Sequence, residues 1–340
     1  MALGGPGVCA LRALSRVCGG DSALGDATVR DWAFAVATSL RSLFNRPEIM
    51  TVLRTDDGGE ESYWRAVLVH SIDGGLQAVL DEYVHCLVES EGLQGASAHL
   101  RAEGIATVLG EALTIKTSSN LVDDFHVADG RIEVERHSAR THFAARFGRA
   151  RADDNTAIRE SHVRTAFNSP FWPFVLASTS VGQEGLDFHT YSHAVVHWNL
   201  PGNPVDLEQR EGRVHRYKGH AVRKNIARSH GDAAFHATVD DPWFAMFLAA
   251  EEQRDPQTGD IVPCWVYAPA GGAAIERYVP AMPLSSEVQR YWRLQRTMGA
   301  YRLVVGQPRQ EDLLKYVGEG ADVEWMRMDL APPTSSERIR

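Results

Sequence analysis

Residues 209–216 read Gln-Arg-Glu-Gly-Arg-Val-His-Arg, and this segment constrains the fold more than any other part of the sequence. On a helix, residues three, four and seven positions apart share one face. A helix that continues through the segment therefore presents Gln209, Gly212, Arg213 and Arg216 on the same side. Arginine keeps its charge at physiological pH, and its planar fork can pair with two phosphate oxygens. The segment predicts a rigid helix whose cationic face meets a polyphosphate.

The residues before this segment predict where the helix begins and what precedes it. Asn203 can cap free backbone N–H groups, and Pro204 is tolerated at the first helical position. Further upstream, residues 178–187 read Ser-Thr-Ser-Val-Gly-Gln-Glu-Gly-Leu-Asp, and residues 194–198 form a short apolar run. A polar loop, a buried strand and a cationic helix are therefore expected to follow one another.

These segments closely resemble motifs V and VI of the superfamily-two helicases and translocases, the second of which reads Gln-x-x-Gly-Arg-x-x-Arg. The run from Asn199 to Gln209 is most similar to the C-terminal halves of Swi/Snf-type and bacterial DEAD/DEAH-type helicases. The resemblance covers residues 164–228 and implies a second RecA-like lobe, whose arginines reach ATP held on a first lobe. After Arg216 the chain has Tyr-Lys-Gly-His where Swi/Snf proteins usually have Ile-Gly-Gln.

The resemblance implies catalytic roles for three residues. Arg213 and Arg216 are expected to act as arginine fingers on the γ-phosphate of ATP. Gln209 is expected to orient the attacking water or to contact the same phosphate. The alternative interpretation is that both arginines only form salt bridges with nearby acids such as Glu208 and Glu211.

The resemblance also implies two sets of binding residues. Gly185, Asp187 and Gly212 are expected to approach the nucleotide, with Asp187 also close to the finger arginine. Short polar side chains can bond nucleic-acid phosphates without reading sequence. The corresponding residues of motif V are Thr179, Ser180 and Gln183.

The sequence contains no Gly-x-x-x-x-Gly-Lys-Ser/Thr, the motif that cradles the β- and γ-phosphates of ATP. We therefore expect the first lobe to be absent, its Mg²⁺ to be held by a missing or partner lobe, and the isolated chain to hydrolyse ATP very weakly. The pair Asp81-Glu82 imitates a Walker B motif. However, the apolar residues around it, from Leu76 to Leu87, follow helical spacing. This pattern indicates an amphipathic helix with both acids on its solvated side.

The distribution of charge limits how the chain could meet nucleic acid. A formal net charge of −9 opposes binding over the whole surface. Between residues 210 and 228, however, seven Lys and Arg residues accompany one acid, Glu211. We call these seven cations the basic run. A focused positive region of this kind favours a cleft that faces phosphates.

The sequence shows no signal peptide and no apolar segment long enough to span a bilayer, so we expect a cytoplasmic protein without a membrane partner. The four cysteines lack paired spacing, which argues against a disulfide framework or a zinc site. His193 and His197 lie four residues apart without a third ligand at a standard spacing. We therefore expect no metal site.

Three regions are predicted. Residues 1–130 form a mostly helical flanking segment, with one helix over residues 31–45 and a capping box at Thr28 and Asp31. Residues 131–232 form an α/β domain, a RecA-like parallel sheet with helices on both faces. Residues 233–340 form a helical extension with helices opening at Asp241 and Ser286. Val288, Tyr291 and Trp292 follow helical spacing there, which favours a core role over stacking on bases.

The predicted sheet places both motifs at one edge. Ligands of parallel sheets bind beyond the carboxyl ends of the strands, where residues 178–187 and 199–209 would lie. A helix is predicted near residues 157–167. The candidate strands are residues 132–147, 174–177, 194–198 and 222–227.

Three functions remain open from the sequence. The first is the C-terminal part of an ATP-dependent helicase or translocase that acts on nucleic acid, with DNA as the expected substrate. The second is an interaction module that docks on a separately encoded lobe bearing a Walker A motif and supplies Arg213 and Arg216 in trans. The third is a truncated remnant that only binds nucleic acid through its basic run.

Overall fold

The fold is taken from a computed structural model. It describes residues 4–56, 62–73, 75–114, 118–128, 131–141, 160–178, 187–236, 241–255, 261–280 and 284–304. Among these residues, no helix is long and apolar enough to cross a membrane.

Helices fill the first part of the chain. They are α1 Pro6–Cys18, α2 Ala27–Phe44, α3 Pro47–Asp56, α4 Tyr63–Asp73, α5 Leu76–Ser90 and α6 Ala98–Leu113, with a 3₁₀ helix Gly20–Gly25 after α1. Helices α1, α2, α5 and α6 bury their apolar faces against one another and form the largest core. The innermost side chains of that core are Leu14, Val29, Val36, Leu40, Leu80, Tyr83, Val84, Ile105 and Leu109.

Helix α2 begins earlier than its sequence pattern predicts. The Asp26 carboxylate accepts hydrogen bonds from the backbone N–H groups of Thr28 and Val29, at 2.8 and 3.1 Å. These bonds satisfy two of the free donors at the helix start, so Asp26 is the cap. The capping box predicted from Thr28 and Asp31 is wrong, because both residues already lie inside the helix.

An antiparallel hairpin follows the helices. Strand β1 Ser118–Ala128 pairs with β2 Arg131–Thr141, with Phe125 opposite Val134. The strand predicted over residues 132–147 overlaps β2, and residues 142–147 lie outside the described part of the chain. Its assignment to a parallel sheet is wrong, because Ile132 and Val134 alternate with glutamates in the pattern typical of an antiparallel strand.

The helix α7 Glu160–Phe167 falls where a helix was predicted, but the next expected strand does not form. Residues 174–177 have no regular structure, and the side chains of Phe174 and Val175 are 75% and 78% exposed. The prediction of a doubly buried strand here is wrong. An apolar run indicates that burying its side chains would be favourable. It forms a strand only if a neighbouring strand is available to pair with its backbone.

The described residues contain one parallel pair of strands. Strand β3 Ala194–Val196 pairs with β4 Glu276–Tyr278, in the register Val195 opposite Arg277. The predicted strand at residues 194–198 is therefore confirmed in a shorter form. Val196 is exposed, so this strand is not buried on both faces. A full RecA-like parallel sheet is not confirmed by the described residues.

Four more helices follow in the described part of the chain. They are α8 Pro204–Gly212, α9 His220–His236, α10 Pro242–Glu252 and α11 Glu287–Val304. The strand predicted at residues 222–227 is wrong, because it lies inside α9. Val222 and Ile226 are four residues apart and pack together against Trp243 and Phe247 of α10. Four-residue spacing suits one face of a helix.

The two helices predicted after residue 232 are confirmed. Asp241 caps α10 by accepting from the N–H groups of Trp243 and Phe244. On α11, Leu294 and Met298 are buried against Leu200 and Leu207.

The core role predicted for the aromatic residues of α11 holds only in part. Tyr291 packs beside the cluster formed by α8 and α11, and its hydroxyl also accepts a hydrogen bond from Gln295. Trp292 is 64% exposed and Val288 is exposed as well, so the core role is wrong for these two residues. Leu294 and Met298 form the buried face in their place, because that is the side of α11 that meets α8.

The packing of α8 on α11 can be tested through one buried leucine. We expect Leu207→Ala to lower the free energy of unfolding by about 2–5 kcal/mol, because it leaves a cavity in a closed apolar cluster. The matched control is Val205→Ala on the exposed side of the same helix, with an expected change below about 1 kcal/mol. Urea unfolding measures both. Equal losses for the two variants would contradict this packing.

Candidate functional site

The start of helix α8 is fixed by local sequence, as predicted. The Asn203 side chain accepts a hydrogen bond from the Asp206 N–H at 2.8 Å and donates one to the Asp206 carboxylate at 3.0 Å. Pro204 occupies the first turn. These interactions satisfy one of the free donors at the helix start and favour a helix that begins directly after Asn203.

The end of α8 differs from the prediction. The helix stops at Gly212, and Arg213 is its C-cap. The Arg213 carbonyl accepts a hydrogen bond from the Phe188 N–H at 2.8 Å, so a distant segment takes the place of the next helical turn. Arg216 therefore lies in a turn after the helix, and the prediction that it shares a helical face with Gln209 is wrong. We call residues 213–219 the arginine turn.

The structure brings one residue from each motif together. The Arg216 Nε donates to the Asp187 carboxylate at 2.7 Å, and the two side chains are 36% and 46% exposed. A Cβ atom built on Gly212 would lie 3.5 Å from the Arg216 guanidinium, so Gly212 lies directly beside that group. Three residues predicted to face a nucleotide thus form one solvent-accessible cluster.

A residue that sequence reasoning missed holds Asp187 in place. The Asn168 amide donates to the Asp187 carbonyl at 2.7 Å, and its oxygen accepts from the Thr190 N–H at 3.3 Å. Asn168 directly follows α7, so this helix anchors the Asp187 side of the site. An asparagine after a helix is too common for the sequence alone to reveal this role.

The other predicted site residues divide into two groups. Gln209 is exposed on α8, and Arg213 is half-buried at the C-cap. The remaining predicted residues lie outside the described part of the chain, and they are Thr179, Ser180, Gln183 and Gly185.

A buried charge network holds α8 against the sheet. The Glu211 carboxylate accepts from both Arg277 Nη2, at 2.6 Å, and Arg277 Nε, and it lies 3.1 Å from His197 Nε2. Burial alone would raise the pKa of Glu211, but the hydrogen bonds from His197 and Arg277 outweigh it and lower the pKa to about 2. Glu211, considered above as a partner of the finger arginines, instead binds β4 and the end of β3.

The basic run does not form a free cationic surface. Three of its seven cations pair with acids, namely Arg216 with Asp187, Lys218 with Glu89 and Arg223 with Glu82. Two others donate to backbone carbonyls, Arg210 to Asn199 and Arg228 to Gly271. The fold therefore pairs part of the expected positive region with acids, while Lys224 and Arg228 stay exposed.

The acids of α5 do not form a Walker B motif. Helix α5 is confirmed, and Asp81 binds Arg16 and Gln77 on its surface. Both acids stay partly exposed, at 22% for the Asp81 side chain and 30% for the Glu82 side chain, and Glu82 also accepts from the Tyr191 hydroxyl and pairs with Arg223. Arg223 of α9 reaches this side of α5, and that contact could not be read from the local pattern.

The histidines predicted to be structural lie in two different settings. His197 belongs to the Glu211 network, whereas His193 Nδ1 lies 3.2 Å from His220 Nδ1. Burial lowers the pKa of both His193 and His220, for His220 to about 4. Two neutral rings can share one proton in this way. Among the described residues, no three potential ligands converge on a metal position.

Comparison with known protein families identifies the segment that carries this site. Residues 146–218 match the family described as the helicase conserved C-terminal domain, a domain of RecA-like type. The match includes Asp187, all of α8 and both arginines, and it confirms the resemblance to the C-terminal domain of superfamily-two helicases. No curated protein and no solved structure matched the chain.

The Glu211 network leads to a prediction about pH. We expect Glu211→Gln to lower the free energy of unfolding at pH 7 by about 3 kcal/mol, because Arg277 would lose its charged partner. The folded-state pKa of about 2 lies below the ordinary 4.5, so the stabilisation is complete above the ordinary value and is lost as pH falls. The gap between wild type and variant should therefore narrow below about pH 5 and close near about pH 2.

Urea unfolding at a series of pH values measures this gap. The control is Glu103→Gln, an exposed residue of α6, which should match wild type within about 0.5 kcal/mol. A gap that stays constant down to about pH 3 would show that the Glu211 charge is not what holds α8.

Proposed function

We propose that this chain, which carries a helicase conserved C-terminal domain, supplies the arginine-bearing side of the ATP site in an ATP-driven nucleic-acid motor. The observation that carries the proposal is the partly exposed cluster of Asp187, Gly212 and Arg216 beside the end of α8. Arg213 and Gln209 lie within one helical turn of Gly212. A triphosphate held on a facing lobe would meet this cluster.

The chemistry of the cluster suits a transferred phosphoryl group. Phosphoryl transfer depends on positioning and on stabilising charge that spreads over the equatorial oxygens. Arg213 and Arg216 would stabilise that charge, and Gln209 would orient the attacking water. Asp187 holds the Arg216 Nε, and Nη1 makes only a long hydrogen bond of 3.5 Å to the His215 carbonyl, so the Nη2 end of the guanidinium fork would receive a phosphate.

The residues present could contact the γ-phosphate of ATP but could not hold the whole nucleotide. The sequence offers cations for the γ-phosphate but no Walker A cradle for the β- and γ-phosphates. The described residues bring Asp187 to Arg216 rather than to a second carboxylate. We therefore assign Mg²⁺ and the phosphate cradle to a Walker A-bearing RecA-like lobe, located in the same polypeptide or on a separate chain.

We expect the motor to move along nucleic acid, and we propose DNA as that nucleic acid. Thr179, Ser180 and Gln183 are the proposed contacts, through backbone phosphates rather than base edges. The alternative function, a truncated remnant that only binds nucleic acid through its basic run, receives less support. Lys218 and Arg223 point their charge at acids of α5, which removes them from the surface such a binder would need.

The proposal is tested by complementation. The purified chain alone should hydrolyse ATP very weakly, and adding the Walker A-bearing lobe encoded nearest to it should produce DNA-stimulated hydrolysis. Arg213→Ala and Arg216→Ala should each reduce that stimulated rate by about 10³-fold or more. Arg216→Lys should recover only part of the loss, because an ammonium group lacks the planar fork.

The matched control is Arg296→Ala, an exposed arginine of α11, which should leave the stimulated rate unchanged. Two results would contradict the proposal. One is efficient ATP turnover by the chain alone, and the other is stimulated hydrolysis that survives both alanine substitutions.

A further inference from the structure

The turn that carries Arg216 contains a residue with an unusual backbone conformation. The Gly219 N–H donates to the Arg216 carbonyl at 3.0 Å, which closes a four-residue turn with Tyr217 and Lys218 at its centre. Lys218 has a φ of 48°, in the left-handed region where glycine or asparagine is normally found at the third position of a turn. A lysine adopts this conformation only where its surroundings hold it.

The residue after Lys218 keeps the turn tight. A Cβ atom on Gly219 would lie 3.1 Å from the Arg216 carbonyl oxygen and 3.3 Å from that of Val214. A larger residue at that position would crowd both carbonyl oxygens and push the two parts of the turn apart. Because Gly219 is packed this tightly, a shift of its backbone cannot easily relieve the strain at Lys218.

The side chain of Lys218 is held by a distant helix. Its ammonium group lies 2.5 Å from the Glu89 carboxylate of α5 and 4.8 Å from the centre of the Phe247 ring. Its backbone N–H donates to the Cys264 carbonyl at 2.7 Å. The Lys218 side chain is 18% exposed and that of Glu89 is 40% exposed, so the ion pair is shielded on the lysine side only. Together these contacts oppose the backbone strain.

The same face of α5 makes a second attachment. Glu82 lies seven residues before Glu89, on the same side of the helix. It accepts from the Tyr191 hydroxyl and pairs with Arg223, whose side chain is buried. Arg223 also donates to the Thr190 carbonyl at 2.5 Å. The chain is thus bound to α5 at two points, one within the arginine turn at Lys218 and one just after it at Arg223.

We propose that α5 acts as a latch on the arginine turn, with Lys218 as a positioning residue held by Glu89. Movement of the N-terminal helices would then move Arg216, which lies two residues before Lys218. The catalytic consequence of this coupling rests on the proposed function, whereas the latch itself is a property of the folded chain. The N-terminal helices thereby gain a regulatory role that their own sequence does not suggest.

Hydrogen exchange on the whole chain tests the latch. The amides of Lys218, Gly219 and His220 each donate to a known carbonyl, so their exchange rates report on the turn. Glu89→Gln keeps the shape of the side chain and removes its charge. Lys218→Gly suits the left-handed backbone and removes the ammonium group. Each variant should speed exchange of these amides at least about threefold, with no change in the amides of α2 and α6.

Two further variants separate a latch from a general loss of stability. The charge reversal Glu89→Lys combined with Lys218→Glu should return the exchange rates toward wild type, because it restores the ion pair in the opposite sense. Glu103→Gln on α6 serves as the control and should exchange like wild type. Unchanged exchange in both Glu89→Gln and Lys218→Gly would overturn the proposal, and so would acceleration spread evenly over the helices. Failure of the ATP assay would not alter any of these rates.

Discussion

The carboxylate of Glu211 is the interaction on which the arrangement of the site depends. It lies in the last turn of α8, and it binds Arg277 on β4 and His197 at the end of β3. Breaking a buried ion pair leaves an uncompensated charge, which costs several kcal/mol. The short parallel sheet has few backbone bonds of its own to hold a helix in place. This one side chain therefore fixes the angle from which Arg213 and the arginine turn leave α8.

The arginines of this domain fall into two classes that differ in how easily they can change partners. Arg277 and Arg223 are largely buried against glutamates and aromatic rings, and they hold elements together. Arg216 pairs with Asp187 where both side chains reach solvent. Exposed ion pairs contribute only about 0–1 kcal/mol, so a competing anion can take over such an arginine at low cost. Accessibility, rather than charge alone, distinguishes the arginine suited to a phosphate.

The sequence predicts features that depend on neighbouring residues and fails where distant residues decide. The start of α8 follows from Asn203 and Pro204, and both were identified from the sequence. The end of α8 depends on Phe188, and the position of Glu211 depends on Arg277, 66 residues away along the chain. The strand predictions for the apolar runs at residues 174–177 and 222–227 failed for the same reason. Whether such a run pairs as a strand or packs as a helix is decided by neighbours that its own pattern does not specify.

The internal pairing of Lys218 and Arg223 reduces the positive charge that the basic run presents to solvent. Lys218 and Arg223 find their partners on α5, a helix whose sequence shows no chemistry of its own. Had these charges been left in solvent, they would attract phosphates without regard to geometry. Arg216 differs from these two cations, because the ion pair that positions it with Asp187 still reaches solvent. In the proposed motor, the helical segment therefore contributes selectivity as well as support, because it determines which cations of the basic run can meet a triphosphate.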